Sequence, residues 1–191
     1  MALRSNGIGS WKLIGSLLLL SAPAQILAQD GGTTKDWPAY GGGPNSIHYS
    51  KLKKINRDNA KNLQVAWTFD TGDSTPGVRT EMEATPLAIN GILYLISPKV
   101  RLFAINAATG KQLWVFDPNE GRKVLGNIRN RGLTYWSDGK DARIFIALRQ
   151  YLYAVDAKTG KLIDSFGDKG KVDLSVGLGH DGEGLSISLS T

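Results

Sequence analysis

Apolar and polar positions in this chain fall into short runs that recur. Residues 102–117 (LFAINAATGKQLWVFD) return fifty residues later as 152–167 (LYAVDAKTGKLIDSFG), with seven of the sixteen paired positions identical. Each copy reads as a short apolar strand, a tight turn ending in Thr-Gly-Lys and a second short strand. Gly110 and Gly160 stand where such a turn most needs positive φ. A further apolar run precedes each copy, residues 91–96 (GILYLI) and 142–147 (ARIFIA), and residues 85–89 (TPLAI) and 132–136 (GLTYW) supply an outermost strand. Each unit therefore has room for four strands. Residues 65–70 (VAWTFD) repeat the Trp-x-Phe-Asp of Trp114 to Asp117 and read as the last strand of a preceding unit.

A period of about fifty residues made of four short strands is the length of one propeller blade. The pattern thus predicts an all-β fold, a β-propeller of four-stranded blades, with two to three blades in this chain. A ring closes with roughly four to eight blades, so residues 29–191 read as the amino-terminal part of a longer propeller. Such an end leaves an unpaired strand edge and an unburied blade face. Residues 185–191 read as a strand cut short.

Around the repeats the chain changes character. Residues 1–28 hold Arg4 and Lys12, no acidic residue, an apolar segment at 13–20 and small residues at Ser21, Ala22, Ala24 and Ala28. This is the pattern of a cleaved secretory signal peptide, with an apolar run too short to span a bilayer. Residues 36–55, rich in Gly, Pro, Asn and Ser, read as an irregular arm on which Trp37 and Tyr40 are packing anchors. A short helix is expected over 56–63, with Asn56 as N-cap and Asn59 three residues later in place of Glu. Residues 74–83 and 122–131 are loops ahead of the outermost strands, and loops at the end of a propeller meet its axial channel.

Composition removes several function classes. The net charge of +6 includes two leader cations, so 6 − 2 leaves +4 for the exported part, and no nucleic-acid-binding motif accompanies it. Lys51, Lys53 and Lys54 read as a solvated turn. With no cysteine, disulfides, a lipidated amino terminus and thiolate metal sites are all excluded. None of the Gly-Lys pairs is followed by Ser or Thr, so there is no phosphate-binding P-loop. His48 and His180, the two histidines, lack the spacing of a metal site.

Several stretches taken together carry a family resemblance. Residues 37–42 (WPAYGG), 48–52 (HYSKL), 83–87 (EATPL), the two Ala-x-Thr-Gly-Lys turns, 130–136 (NRGLTYW) and 166–174 (FGDKGKVDL) occur in an order and spacing that resembles the amino-terminal part of the pyrroloquinoline quinone (PQQ)-dependent dehydrogenases. These are the quinoprotein sugar and alcohol dehydrogenases, and the likeness runs from Trp37 to about Gly179. It implies an eight-bladed propeller, with PQQ and Ca2+ as cofactors. It also implies calcium ligands and a catalytic base after Thr191, so that no catalytic acid or base is assigned within this chain.

The same resemblance implies two cofactor-binding residues. At Glu83 it places a residue seated beside the quinone, and at Arg131 one that hydrogen-bonds the quinone oxygens. An arginine suits that place, because hydride arriving at an ortho-quinone puts negative charge on oxygen and a guanidinium stabilises it without losing a proton. PQQ is itself a tricarboxylate, so an ionised Glu83 beside it needs a proton, a cation or a hydrogen bond. The implied activity is a periplasmic oxidation of a sugar, polyol or alcohol by hydride transfer to the quinone, with electrons passing to a respiratory acceptor, a cytochrome or a quinone. The alternative is a non-enzymatic propeller that binds proteins.

Two departures refine this expectation. Methanol-type members carry adjacent cysteines shortly before the arginine, where this chain has Leu125-Gly126, which tilts it toward the sugar or polyol branch. Asn127 stands where some sugar dehydrogenases have His. Trp114 is expected to dock on the Thr-Gly turn of a neighbouring blade, whereas the matching position of the second copy is Asp164, so that copy must hold its neighbour differently.

Overall fold

A computed structural model of the chain describes residues 36–74, 76–122 and 130–177. Residues 1–35, over which the leader is expected, residue 75, residues 123–129 with Leu125, Gly126 and Asn127, and residues 178–191 with His180 lie outside that range. The described chain is all-β, with eight strands in two four-stranded antiparallel sheets. The first holds β1 (Leu87–Ile89), β2 (Ile92–Ile96), β3 (Leu102–Asn106) and β4 (Gln112–Phe116) in sequential order. The second repeats that order with β5 (Thr134–Ser137), β6 (Ala142–Leu148), β7 (Tyr151–Asp156) and β8 (Lys171–Asp173). Each repeat thus lies within a four-stranded unit, and the runs expected to be outermost are the edge strands β1 and β5.

Local chemistry explains the tight connections. β1 turns into β2 through Asn90-Gly91, both at positive φ (51° and 76°), as a two-residue hairpin requires. The β3–β4 turn is fastened by the Asn106 carboxamide, whose Oδ1 accepts the N–H groups of Ala108 and Thr109 at 3.0 Å each. Asp156 does the same for Lys158 and Thr159 at 3.1 and 2.7 Å. Asn and Asp favour turns because their side chains take backbone N–H groups that no strand partner reaches.

The sheets bury one shared core. Leu87, Ile89, Tyr94, Ile96, Leu102 and Ala104 of the first pack in a single cluster with Ile144, Ile146, Tyr153 and Val155 of the second and with Leu133 just ahead of β5. The other face of the first sheet, with Leu95, Phe103 and Ile105, is covered by Trp67 and Phe69. The middle strands are therefore apolar on both faces rather than alternating.

A tryptophan–glycine contact joins each layer to the next. The Trp114 ring lies so close over Gly160 that a Cβ there would sit 2.7 Å from Cδ2, and its indole N–H donates to the Ala157 carbonyl at 3.2 Å. Trp67 repeats the contact over Gly110, with 2.6 Å to Cδ2 and its N–H donating to the Ala107 carbonyl at 3.1 Å. Trp114 docks as expected, and the partial copy around Trp67 docks in the same way.

Four expectations need correction. The segment after Gly160 does not form the fourth strand of the second sheet, whose edge is β8 at Lys171–Asp173. Ile163 N–H donates to the Ala154 carbonyl at 3.0 Å, and Ala154 N–H donates to the Gly170 carbonyl at 3.0 Å. Residues 164–169 are thus looped out between two bonds to one residue, and Asp164, lacking an indole to dock, goes with them. Residues 65–70 have no strand assignment, because no partner among the described residues pairs with them, although Trp67 docks. The helix expected over 56–63 shrinks to a 3₁₀ turn at Ala60–Asn62. The N-cap of that turn is Asn59 rather than Asn56 and makes no side-chain cap bond; the two asparagines instead close the preceding turn, Asn56 Oδ1 accepting from Asn59 N–H at 3.2 Å and Asn59 Oδ1 accepting from Asn56 N–H at 2.8 Å. Trp37 is anchored by two backbone bonds to Ala88, of 2.6 and 3.0 Å. Tyr40 is not an anchor, being 66% exposed with its ring edge-on to His48.

Candidate functional site

The candidate site lies where the chain enters each sheet. Antiparallel pairing brings the start of β1 beside the end of β2, the start of β3 and the end of β4, so the loops there share one end of the sheet. The second sheet is built alike, which sets the loops before β1 and β5 at corresponding ends.

Glu83 closes the first of these loops and Arg131 the second. Although 48 residues separate them in sequence (131 − 83), Arg131 Nε stands 4.0 Å from Glu83 Oε2. Their side chains are 69% and 36% exposed. The fold thus brings together the two residues singled out from the sequence. The spacing is longer than the roughly 2.8 Å of a charge-assisted hydrogen bond, so neither group is committed to the other.

The two charges do not occupy matching rungs. Leu87, Tyr94 and Ala104 pair successively across the first sheet, as Thr134, Phe145 and Ala154 do across the second. Counting back from β1 and β5, Glu83 matches Asn130, and Arg131 matches the buried Ala84. Asn130 is buried, donates from Nδ2 to the Ala147 carbonyl at 3.0 Å, and accepts at Oδ1 from Gly132 N–H at 3.0 Å.

The loop ending at Glu83 is fastened near its start. Asp73 is 1% exposed, accepts Lys99 N–H at 2.9 Å, and is ion-paired with the Arg101 guanidinium, which also bonds the Thr71 carbonyl. The Arg101 guanidinium carbon lies 5.2 Å from the Phe103 ring centre. Farther along the same loop, Arg79 pairs with Glu81 at 2.5 Å on the surface. Sequence reasoning missed Asp73, Arg101 and the bonding role of Asn130. Nothing local distinguishes Asp73 from other loop acids, since its partner lies 28 residues away.

A separate polar cleft of about 140 Å³ opens between the β4–β5 connection and the β6–β7 turn, lined by Glu120, Arg122, Arg149, Tyr151, Tyr153 and Lys171 among others. Burial, with the Glu120 charge adding to it, pushes the Tyr153 phenol up from its ordinary value. Neither Glu83 nor Arg131 lines this cleft. Among the described residues there is no cluster of three or more His, Asp or Glu able to hold a metal ion, and no helix long and apolar enough to cross a membrane.

Two four-stranded sheets stacked through a tryptophan and glycine contact, with charged loops meeting at one end, define blades of a β-propeller protein. The chain belongs to the PQQ family, described as glucose/ethanol/alcohol dehydrogenase, β-propeller domain, whose pattern matches residues 37–191. It is 32% identical over 205 aligned positions to the quinoprotein glucose dehydrogenase of Escherichia coli K12, covering 95% of this chain and 25% of that protein. It is 39% identical over 144 positions to the dehydrogenase subunit of the quinone alcohol dehydrogenase of Gluconobacter oxydans, covering 71% of this chain and 17% of the relative. Among solved structures, the quinohemoprotein alcohol dehydrogenase of Comamonas testosteroni superposes with a TM-score of 0.58 at 30% identity, over 78% of this chain and 21% of that one. The chain spans a quarter or less of the length of these proteins.

Proposed function

We propose that this chain is the amino-terminal part of a periplasmic PQQ- and calcium-dependent dehydrogenase that oxidises a sugar, polyol or alcohol and passes the electrons to a respiratory acceptor. The carrying observation is the 4.0 Å approach of Arg131 to Glu83 from loops ahead of two successive blades, within a chain of this family. The quinone, when bound, supplies the hydride acceptor.

The two side chains fit a flat, anionic group. Arg131 is exposed and only loosely paired, so its guanidinium edge is available to donate to the quinone oxygens and to hold the negative charge that develops there. Glu83 beside a tricarboxylate needs a compensating charge, and Arg131 supplies it at 4.0 Å. Leu125-Gly126 in place of paired cysteines supports the sugar or polyol branch, while the relatives include both glucose and alcohol dehydrogenases.

The test is PQQ- and Ca2+-dependent dye reduction by the complete reading frame, over a panel of aldoses, polyols and primary alcohols. Activity should require both cofactors and fall about 10²-fold or more in Arg131→Ala, the scale of losing one stabiliser of developing oxyanion charge. A folded full-length protein that neither binds PQQ nor turns over would put the non-enzymatic, protein-binding reading in its place.

A further inference from the structure

We infer that Asn130 is the positioning residue of this site, holding Arg131 in the geometry with which it meets the quinone; the inference rests on the reading of Arg131 given above. The observation is a bracket. The Asn130 carboxamide accepts the N–H of Gly132 and donates to the carbonyl of Ala147, so the residue between Asn130 and Gly132 is the middle of a side-chain-closed turn.

The register shows what this bracket replaces. β5 pairs with β6 through Thr134 and Phe145, and two residues back along one strand and two forward along the other, the next rungs would set Gly132 opposite Ala147. No backbone rung forms there. The carboxamide instead stands between the two backbone groups, taking the donor of one and serving the acceptor of the other. Strand pairing is thereby carried two residues ahead of the start of β5 without placing Arg131 in a strand. The anchor on the β6 side is firm, because Ala147 is buried and pairs with Leu152 of β7.

Asparagine is suited to this place. It alone among short side chains offers an amide donor and an acceptor together, matching the peptide groups it bridges. Asp keeps the acceptor for Gly132 N–H but sets an oxygen against the Ala147 carbonyl. The side chain is buried, so water does not readily replace the lost bonds. The next residue, Arg131, is fixed in its backbone while its side chain reaches solvent beside Glu83.

The test is a double-mutant cycle on the full-length apoprotein, with PQQ titrated in the presence of Ca2+ and followed by quenching of tryptophan fluorescence. Thermal melting of each variant is read alongside. Arg131→Ala is expected to weaken PQQ binding. Asn130→Ala should weaken it about tenfold when Arg131 is present and add less than about twofold when Arg131 is already alanine, because the two act through one contact. Asn130→Asp, which keeps half of the bracket, provides the same comparison if the alanine variant fails to fold. Equal losses in both Arg131 backgrounds would make Asn130 a structural residue only and overturn the inference, leaving Arg131 as a quinone contact. No loss in Arg131→Ala itself would overturn the reading of Arg131, and this inference with it.

Discussion

The two sheets are built to one plan in their middles and to different plans at their edges. β2 and β3 pair as β6 and β7 do, and Asn106 and Asp156 close equivalent turns. At the start of β3, however, the first sheet has Arg101, bound to the buried Asp73 of the preceding loop. The second has Tyr151 at that rung, with Lys171 Nζ 5.1 Å from the ring centre. β4 stays a single strand, with one register shift against β3 between Ala104 and Ile105, and sends Trp114 to the neighbouring turn, while its counterpart is looped out before β8. A repeated core needs only apolar side chains of suitable size. Loops have no ladder to hold them, so each is fastened by its own polar contact, and both candidate site residues stand on such loops.

The largest effect should come from breaking a fastening that, among the described residues, only the first sheet has. Asp73→Ala leaves the half-buried Arg101 guanidinium without its carboxylate, and Arg101 Nε already lacks a partner. The expected cost is about 3–5 kcal/mol, as for removing one member of a buried ion pair, read from the urea midpoint at unchanged m. Replacing both residues with Leu should recover most of it, since no unpaired charge is left. A single-variant loss below about 1 kcal/mol would show that the two sheets' lead-in loops are equally dispensable.

The next effect tests what the sheets share. Gly160 has φ of 72° and no room for a Cβ beneath Trp114, whereas Gly91, with φ of 76°, has nothing within 4 Å of that position. Gly91→Ala should cost about 1 kcal/mol for backbone strain alone. Gly160→Ala should cost about 3 kcal/mol, the strain plus displacement of a docked Trp. Equal costs at the two glycines would mean that the tryptophan contact contributes little to joining the blades.

This contrast also marks how far the sequence could be read. The repeat of Ala-x-Thr-Gly-Lys and its flanking apolar runs exposed the four-strand unit, because burial on both faces of the middle strands leaves few substitutions that still pack. The looped-out segment was not legible: Leu162, Ile163 and Phe166 keep an apolar pattern, yet the bonds from Ile163 and to Gly170 both end on Ala154. Glu83 and Arg131 were found through their motif contexts, not through any local pattern that brings them together. Their approach depends on the stacking of two sheets. Asp73 and Asn130 escaped because the Arg101 guanidinium and Lys99 N–H that hold Asp73, and the Ala147 carbonyl that holds Asn130, lie 17 or more residues along the chain, where no local pattern marks them.

The smallest effect at neutral pH, and the one with a pH signature, belongs to Tyr94. It occupies the rung that Phe145 holds in the second sheet, and it uses its hydroxyl to cross between sheets, donating to the Ala157 carbonyl at 3.1 Å. Burial, with the charges of Tyr135 and Asp156 adding to it, pushes its phenol up to about 12 from the ordinary value near 10. Tyr94→Phe copies the second sheet's solution and should cost about 1 kcal/mol at pH 7, the net value of one hydrogen bond. The unfolded chain loses this proton near pH 10 and the folded chain near pH 12, so the folded state binds more protons in between. Stability from Tyr94 is therefore fully present below pH 10 and lost as pH rises toward 12, by up to about 2–3 kcal/mol. Urea unfolding of the two proteins across this range should give curves that cross, the phenylalanine variant being the more stable at the alkaline end. Parallel curves would mean that Tyr94 ionises alike in the folded and unfolded chain, and that its hydroxyl is no more buried than the surface of the sheet.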